Sequence, residues 1–124
     1  GGIVGVVMAG DAGNDTLTGG SGGDFLYGLG DADTLEGGAG NDNLSGGAGT
    51  DRFAFGAGWG VDTVWDWTNG AEKFDLRGSG VTSYAQLTVF QNFSGSGNAL
   101  ITSGANQILV VGGANQIDAT DFIF

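Results

Sequence analysis

Aspartate recurs at a fixed interval of nine residues in the first half of the chain, at Asp15, Asp24, Asp33, Asp42 and Asp51. Each aspartate lies in a glycine-rich stretch, and the chain has no histidine or cysteine that could share a metal with it. Carboxylate and carbonyl oxygens are hard ligands, which suit calcium because calcium takes about six to eight oxygens in flexible geometry. Magnesium prefers a stricter octahedron. The spacing therefore predicts a series of calcium sites.

The nine-residue unit also predicts how the chain positions these ligands. In residues 37–45, GGAGNDNLS, the glycines permit positive φ, so a six-residue turn can aim carbonyl oxygens and its aspartate at one point. The last three residues suit a short strand with its middle residue inward. Two units return the chain to the same side, so the stacked coils form a parallel roll. Units 10–18, 28–36 and 46–54 are expected on one side, and units 19–27, 37–45 and a degenerate unit on the other.

Both ends of the repeat region depart from the pattern. Residues 1–9 fit the register with Val6 at the aspartate position, as expected of a degenerate N-terminal repeat that caps the stack. Residues 55–65 contain a further degenerate repeat with Asp62 at the ligand position. The predicted organisation is a roll over 1–65, with five regular repeats at 10–54, and a cap over 66–124.

The units resemble GGxGxDxUx, the nonapeptide of the RTX, or haemolysin-type, calcium-binding proteins. This resemblance implies an all-β fold, a right-handed parallel β-roll followed by a C-terminal antiparallel β capping region. It also implies that each ion lies between loops two units apart, held by early backbone carbonyls and by the aspartates of both loops. It implies roughly four or more calcium ions.

The ligands implied by the resemblance fall on the two sides of the roll. On one side they are Asp11, Gly13, Asp15, Gly28, Leu29, Gly30, Asp31, Asp33, Gly46, Ala48 and Asp51. On the other side they are Gly20, Gly22, Asp24, Gly37, Gly38, Ala39, Gly40, Asp42 and Asp62. Asp11, Leu29 and Asp31 replace glycines of the pattern, and Leu29 and Asp31 are expected to strain their turn.

The second half loses the nine-residue period. Residues 55–78 resemble the segment that follows the repeats in many secreted RTX proteins, which implies a further calcium ligand at Asp66 and a weaker candidate at Glu72. The alternative is that both are solvated turn acids. Segments 86–93, 98–103 and 107–112 alternate or run apolar, and they predict strands that cover the open end of the roll.

Two shorter patterns in the second half carry no metal prediction. GANQI occurs at 104–108 and again at 113–117, nine residues apart, but it lacks an aspartate and is interpreted as an echo of the repeat. Residues 121–124, DFIF, resemble the uncleaved C-terminal signal of type I secreted proteins. The alternative is a last β-strand that plugs the cap.

The charge balance of the chain limits its partners. Fourteen acids against three bases give a net charge of −11, which disfavours nucleic acid and anionic membranes. No apolar run reaches the roughly 18 residues of a membrane span. The lack of histidine and cysteine, with Lys73 as the sole lysine, argues against a catalytic role for this chain. A catalytic domain upstream in a larger protein is compatible with the sequence.

Together these features predict a secreted, extracellular or cell-surface bacterial domain that folds on binding calcium outside the cell. Its expected partners are calcium, the type I secretion machinery and an upstream domain of the same protein. The alternative function is a carbohydrate- or surface-binding module, because Phe25 and Tyr27 should point outward and aromatic rings stack on polysaccharides. Packing of these two rings against another part of the protein competes with that interpretation. Trp59, Trp65 and Trp67 are expected in the core of the cap.

Overall fold

Very short strands alternate with glycine-rich turns along the repeat region. The structure, a computed structural model, describes residues 7–10, 13–20, 22–47, 49–65, 72–91, 97–112 and 117–124. The strands described are β1 Val7–Ala9, β2 Thr16–Thr18, β3 Phe25–Tyr27, β4 Thr34–Glu36, β5 Asn43–Ser45, β6 Arg52–Ala54, β7 Val61–Val64, β8 Lys73–Asp75, β9 Thr88–Phe90, β10 Ala99–Ser103, β11 Asn106–Val110 and β12 Phe122–Ile123. Two 3-10 helices cover Tyr84–Gln86 and Ala119–Asp121.

The repeat strands stack into two parallel sheets, one on each side of the roll. The order is β1-β3-β5-β7-β11-β10-β9 in the seven-stranded sheet and β12-β8-β6-β4-β2 in the five-stranded sheet. Equivalent residues of units two apart are in register, such as Leu26 with Leu44 and Leu35 with Phe53. This arrangement confirms the predicted parallel β-roll and the predicted assignment of units to its two sides.

The segments after β7 continue both sheets. β8 pairs parallel with β6, and β12 pairs parallel with β8. β11 pairs parallel with β7 and then antiparallel with β10, which pairs antiparallel with β9. The predicted antiparallel strands are therefore present, and they cover one end of the roll while sharing its seven-stranded sheet.

Inward-facing strand residues of the coils from β3 to β7 fill the roll. Leu26, Leu35, Leu44, Phe53 and Val64 are all fully buried. Aromatic rings extend this core into the cap: the centroids of Phe53 and Phe74 lie 6.3 Å apart, and those of Phe74 and Phe122 lie 5.3 Å apart. β12 thus closes the core, as the cap-strand interpretation of residues 121–124 requires.

The three tryptophans have different environments. Trp59 is buried and its indole N–H donates to the Gln107 carbonyl at 3.1 Å, so its predicted core position is confirmed. The same prediction is wrong for Trp65, which is 54% exposed. Trp65 directly follows the inward Val64, so strand alternation turns it outward. Trp67 lies outside the described residues.

Among the described residues, Leu29 and Asp31 are those other than glycine that have left-handed backbone conformations. Leu29 has φ of 71° and Asp31 has φ of 68°. These positive values agree with the strain that the sequence predicts for this turn. Such conformations cost about 1–2 kcal/mol for a residue with a Cβ. The Asp31 side chain offsets part of this cost, since its Oδ2 accepts a hydrogen bond from Gly13 N at 2.6 Å.

No helix among the described residues is both long and apolar enough to cross a lipid bilayer.

Candidate metal centre

Aspartates of successive coils form a hydrogen-bonded ladder on each side of the roll. On the five-stranded side, Asp15 N donates to Asp33 Oδ1 at 2.8 Å, and Asp33 N donates to Asp51 Oδ1 at 2.9 Å. On the seven-stranded side, Asp24 N donates to Asp42 Oδ1 and Asp42 N donates to Asp62 Oδ1, both at 2.9 Å. The structure thus brings together all four aspartate pairs that the sequence predicts to share calcium ions.

Asp33 and Asp42 are the middle aspartates of the two ladders, and each has a buried second carboxylate oxygen that the ladder does not use. Asp33 and Asp42 are only 2% and 1% exposed, yet Oδ2 of each has no hydrogen-bond partner in the described part of the chain. Among those residues, the ion pairs join Arg52 and Arg77 to Asp75, and neither pair includes an aspartate of the ladders. A buried, uncompensated carboxylate costs several kcal/mol. A cation between the coils would remove that cost.

Backbone carbonyls point into the same spaces as these carboxylate oxygens. A Cβ placed on Gly28 would lie 2.6 Å from Asp33 Oδ2 and 2.7 Å from the Gly46 carbonyl oxygen. A Cβ on Gly10 would lie 2.7 Å from Asp15 Oδ2 and 2.9 Å from the Gly28 carbonyl oxygen. The first glycine of a unit therefore leaves a gap where a carboxylate of its own coil meets a carbonyl of the coil above.

Four further backbone carbonyl oxygens lie close to a glycine of the next coil. They belong to Gly20, Leu29, Asp31 and Gly40, all predicted ligands, and they lie against Gly38, Gly47, Gly49 and Gly60 respectively. The positive φ of those four glycines, between 78° and 95°, lets the two backbones approach. Because Leu29 and Asp31 offer carbonyl oxygens, their side chains do not remove them from the ligand set.

The donor chemistry fits calcium. Among the described residues no three acidic side chains converge on one point. Each space between coils instead combines one or two carboxylates with several carbonyls, and every donor is an oxygen. Hard, numerous and irregularly placed oxygens match calcium better than magnesium or zinc.

The remaining predicted ligands lie in the same turns or outside the described chain. Gly13, Ala39 and Asp31 are exposed, whereas Gly22, Gly30 and Gly38 are half-buried and Gly37 is buried. A Cβ on Gly13 or Gly30 would meet no atom within 4 Å, so no close coil contact requires glycine there. Asp11, Ala48 and Asp66 fall outside the described residues, and their roles stay predictions.

Glu72 occupies the ladder position above Asp51. The pairing of Arg52 with Lys73 places Glu72 in register with Asp51, and its side chain is 1% exposed. The interpretation of Glu72 as a solvated turn acid is therefore wrong. A local signal exists in the sequence, since Glu72 precedes Lys73-Phe74 as Asp51 precedes Arg52-Phe53. The separation of 21 residues hides it from a nine-residue period.

The ladder on the seven-stranded side ends because an isoleucine replaces its next carboxylate. In the pairing of β11 with β7, Ile108 lies opposite Asp62 and Val110 lies opposite Val64. Asn106 Oδ1 accepts a hydrogen bond from Gly60 N at 3.1 Å. The first GANQI segment is thus a coil of the roll with isoleucine at the ligand position, which is consistent with its interpretation as an echo of the repeat.

Burial raises the pKa values of Asp42 and Asp62, the last two aspartates of the ladder on the seven-stranded side. Removal from water raises the pKa of Asp42 to about 6 and that of Asp62 to about 8, from an ordinary value of 3.8. The negative charge of Asp24 adds to the shift at Asp42, and that of Asp42 adds to the shift at Asp62. Without a cation, the folded roll therefore keeps Asp62 mostly protonated at neutral pH, whereas Asp42 takes up its proton only near pH 6 and below.

Gly28→Ala tests the space between the coils. The added Cβ would contact Asp33 Oδ2 and the Gly46 carbonyl, and we expect a loss of about 1–3 kcal/mol of calcium-bound stability. Gly20→Ala is the matched control, because its Cβ meets nothing within 4 Å and its φ is not positive either. The measurement is the calcium concentration at half-folding by circular dichroism. Equal midpoints for the two variants would contradict this account of the gap.

Known proteins share both the repeat and the fold. Residues 7–35 and 27–58 match the family model of the RTX calcium-binding nonapeptide repeat (4 copies). The R3 subunit of a mannuronan C5-epimerase from Azotobacter vinelandii aligns over 100% of this chain and 80% of its own, with 26% identity and a TM-score of 0.79. The R2 subunit of that enzyme aligns over 96% and 91%, with 25% identity and a TM-score of 0.66.

A third similar structure is the extracellular lipase LipA of Serratia marcescens, at 22% identity and a TM-score of 0.78. The alignment covers 100% of this chain but 20% of the lipase, so it shows the fold alone. A search of curated protein sequences gave no match.

The ladders, the oxygen-lined gaps and these matches define a calcium-binding repeat domain of the β-roll type. Residues 7–58 match the RTX calcium-binding nonapeptide repeat, and the chain has the fold of RTX β-roll domains.

Proposed function

We propose that this chain is a calcium-dependent folding module of a larger secreted bacterial protein. The observation that carries the proposal is the pair of buried carboxylate oxygens at Asp33 and Asp42, which no described donor satisfies. Calcium would bind there through these oxygens, the paired aspartates of the neighbouring coils and the carbonyls that face each gap. The ion supplies positive charge that the chain itself does not place between the coils.

Calcium binding and folding are coupled because each site is shared between two coils. The aspartates of a pair are 18 or 20 residues apart, so an unfolded chain does not hold them together. Binding energy is then folding energy. When the free calcium concentration is 100-fold above the dissociation constant of a site, binding at that site adds about 2.7 kcal/mol to the stability of the folded roll. Several such sites therefore decide whether the roll forms.

This coupling supports a role in type I secretion and in stability after export. In a compartment with little calcium, the acids repel one another and the glycine-rich chain stays unfolded. Extracellular modules bind calcium at dissociation constants of about 10⁻⁴–10⁻³ M, so the chain would fold once outside the cell. The extracellular lipase with the same fold is consistent with this location.

The C-terminal residues would act at two stages. Before folding, Asp121 to Phe124 would be recognised by the secretion machinery as an unstructured signal. After folding, Asp121 is 2% exposed and Phe122 pairs with Phe74 in the five-stranded sheet. The folded form would thus bury Asp121 and Phe122 in the cap, while Phe124 stays 37% exposed. We assign this chain no catalytic role, and an attached domain would supply any activity.

The first test is a calcium titration of the metal-stripped chain, followed by far-UV circular dichroism. We expect a cooperative gain of β signal near millimolar calcium and little gain with magnesium, because magnesium binds fewer protein oxygens in stricter geometry. A spectrum that is already β-rich without calcium, and unchanged by it, would refute calcium-driven folding.

A further inference from the structure

The outer face of the seven-stranded sheet carries no charge. Among all residues of its seven strands, the one charged residue is Asp62, which is 1% exposed and faces the ladder. The outer face of the five-stranded sheet differs, since it presents Glu36, Arg52, Lys73 and Asp75. In a chain of net charge −11, a neutral face of this extent is a distinct surface.

Aromatic rings are exposed on this neutral face. Phe25 and Tyr27 flank the buried Leu26 and are 44% and 40% exposed, so no described part of the chain covers them fully. Trp65, 54% exposed, lies two strands away. Its indole N–H donates to Asn43 Oδ1 at 2.8 Å, which fixes the ring beside the outward residues of β5.

Hydroxyl and amide groups lie between and beyond the rings. Register places Asn43 next to Phe25 and Ser45 next to Tyr27, and Thr63 follows Asn43 on β7. Farther across the sheet, Gln107 pairs with Thr102. With strands about 4.8 Å apart, Tyr27 and Trp65 are separated by roughly 10 Å, close to the length of two linked sugar rings.

We propose that this face binds a neutral polysaccharide. The C–H faces of sugar rings stack on Phe25, Tyr27 and Trp65, while sugar hydroxyls pair with the amide and hydroxyl side chains between them. The absence of cations on the face, and the acids elsewhere on the chain, disfavour uronate, sulfate and phosphate ligands.

A second copy of the chain fits this face less well. Homodimer interfaces are predominantly apolar at their centre. Here Ser45 lies between Tyr27 and Trp65, and Asn43 lies between Phe25 and Thr63, so hydroxyl and amide groups occupy the middle of the patch. Two copies that each carry excess acid also repel one another.

Affinity electrophoresis of the calcium-loaded chain tests the proposal. The gels contain one of four neutral polymers: hydroxyethyl cellulose, starch, galactomannan or glycol chitin. Carboxymethyl cellulose is the charged control, because it has the same cellulose backbone as hydroxyethyl cellulose. We expect retardation in at least one neutral polymer and less in carboxymethyl cellulose. Tyr27→Ala and Trp65→Ala should each weaken binding about 2- to 12-fold, since one aromatic contact contributes about 0.5–1.5 kcal/mol.

Controls separate a binding role from a folding role. Tyr27→Phe keeps the ring and should restore binding, and Arg52→Ala on the opposite sheet should bind as the parent does. Circular dichroism in calcium confirms that each variant is folded, so a failure of calcium-driven folding is seen separately. The proposal is overturned by binding to no neutral polymer, by preference for carboxymethyl cellulose, or by self-association that Trp65→Ala abolishes.

Discussion

Asp42→Ala is expected to abolish folding at calcium concentrations that fully fold the parent chain. Asp42 is shared by two spaces between coils, because its Oδ1 contacts Asp24 N and its own N–H contacts Asp62. If each space binds one ion, and free calcium is 100-fold above the dissociation constant, the loss of both sites lowers the free energy of unfolding by about 5 kcal/mol. That is comparable to the whole stability of a small domain. The measurement is the calcium midpoint and the chemically induced unfolding of each variant.

Two control variants isolate the metal contribution. Glu36→Ala removes the same charge from the outer face of β4, outside both ladders, and should leave the calcium midpoint nearly unchanged. Asp42→Asn keeps an acceptor oxygen for Asp24 N but loses the charge. It should resemble Asp42→Ala in calcium, and without calcium it should be at least as structured as the parent chain. Asp11→Ala should also be mild, because the sequence assigns calcium only the Asp11 carbonyl. Equal midpoints for Asp42→Ala and Glu36→Ala would refute a shared ladder.

The sequence predicted the repeat region well because one period governs both structure and ligands. A nine-residue unit places Leu44 above Leu26 and Asp42 above Asp24, so a single observed interval determines side, register and inward position. The strain at Leu29 and Asp31 was equally readable, since glycine stands at those positions in neighbouring units and both residues have positive φ.

Prediction became unreliable where insertions break the period. Asp62 was paired with Asp42 from the local motif of its degenerate unit, despite a separation of 20. Glu72 stands above Asp51 at a separation of 21, and counting by nine does not give that position. Trp65 was assigned to the core because hydrophobicity alone does not give the direction of a side chain. Ile108 could be recognised as a ladder residue only from the pairing of β11 with β7. That pairing is distant in sequence, since the hydrogen-bonded residues Gln107 and Gly60 are 47 positions apart.

Acidification is expected to stabilise the folded chain when calcium is absent. Burial raises the pKa of Asp62 to about 8 in the folded roll, from an ordinary value of 3.8. A folded-state pKa above the unfolded value gives stability that is complete below pH 3.8 and is lost as pH rises through about 8. The raised pKa of Asp42, about 6, acts in the same direction. Metal-stripped chain should therefore contain more β structure near pH 5 than near pH 8.

Calcium should reverse this dependence, because it competes with protons for the same oxygens. At neutral pH, binding would displace the proton on Asp62, so calcium addition in weak buffer should release protons and the apparent affinity should rise with pH. Asp62→Asn provides the control, since it removes the titrating group while keeping an acceptor for Asp42 N. In that variant the pH dependence should flatten. A metal-free chain that loses structure between pH 8 and pH 5, in parent and variant alike, would show that the acids of the ladder are not buried without calcium.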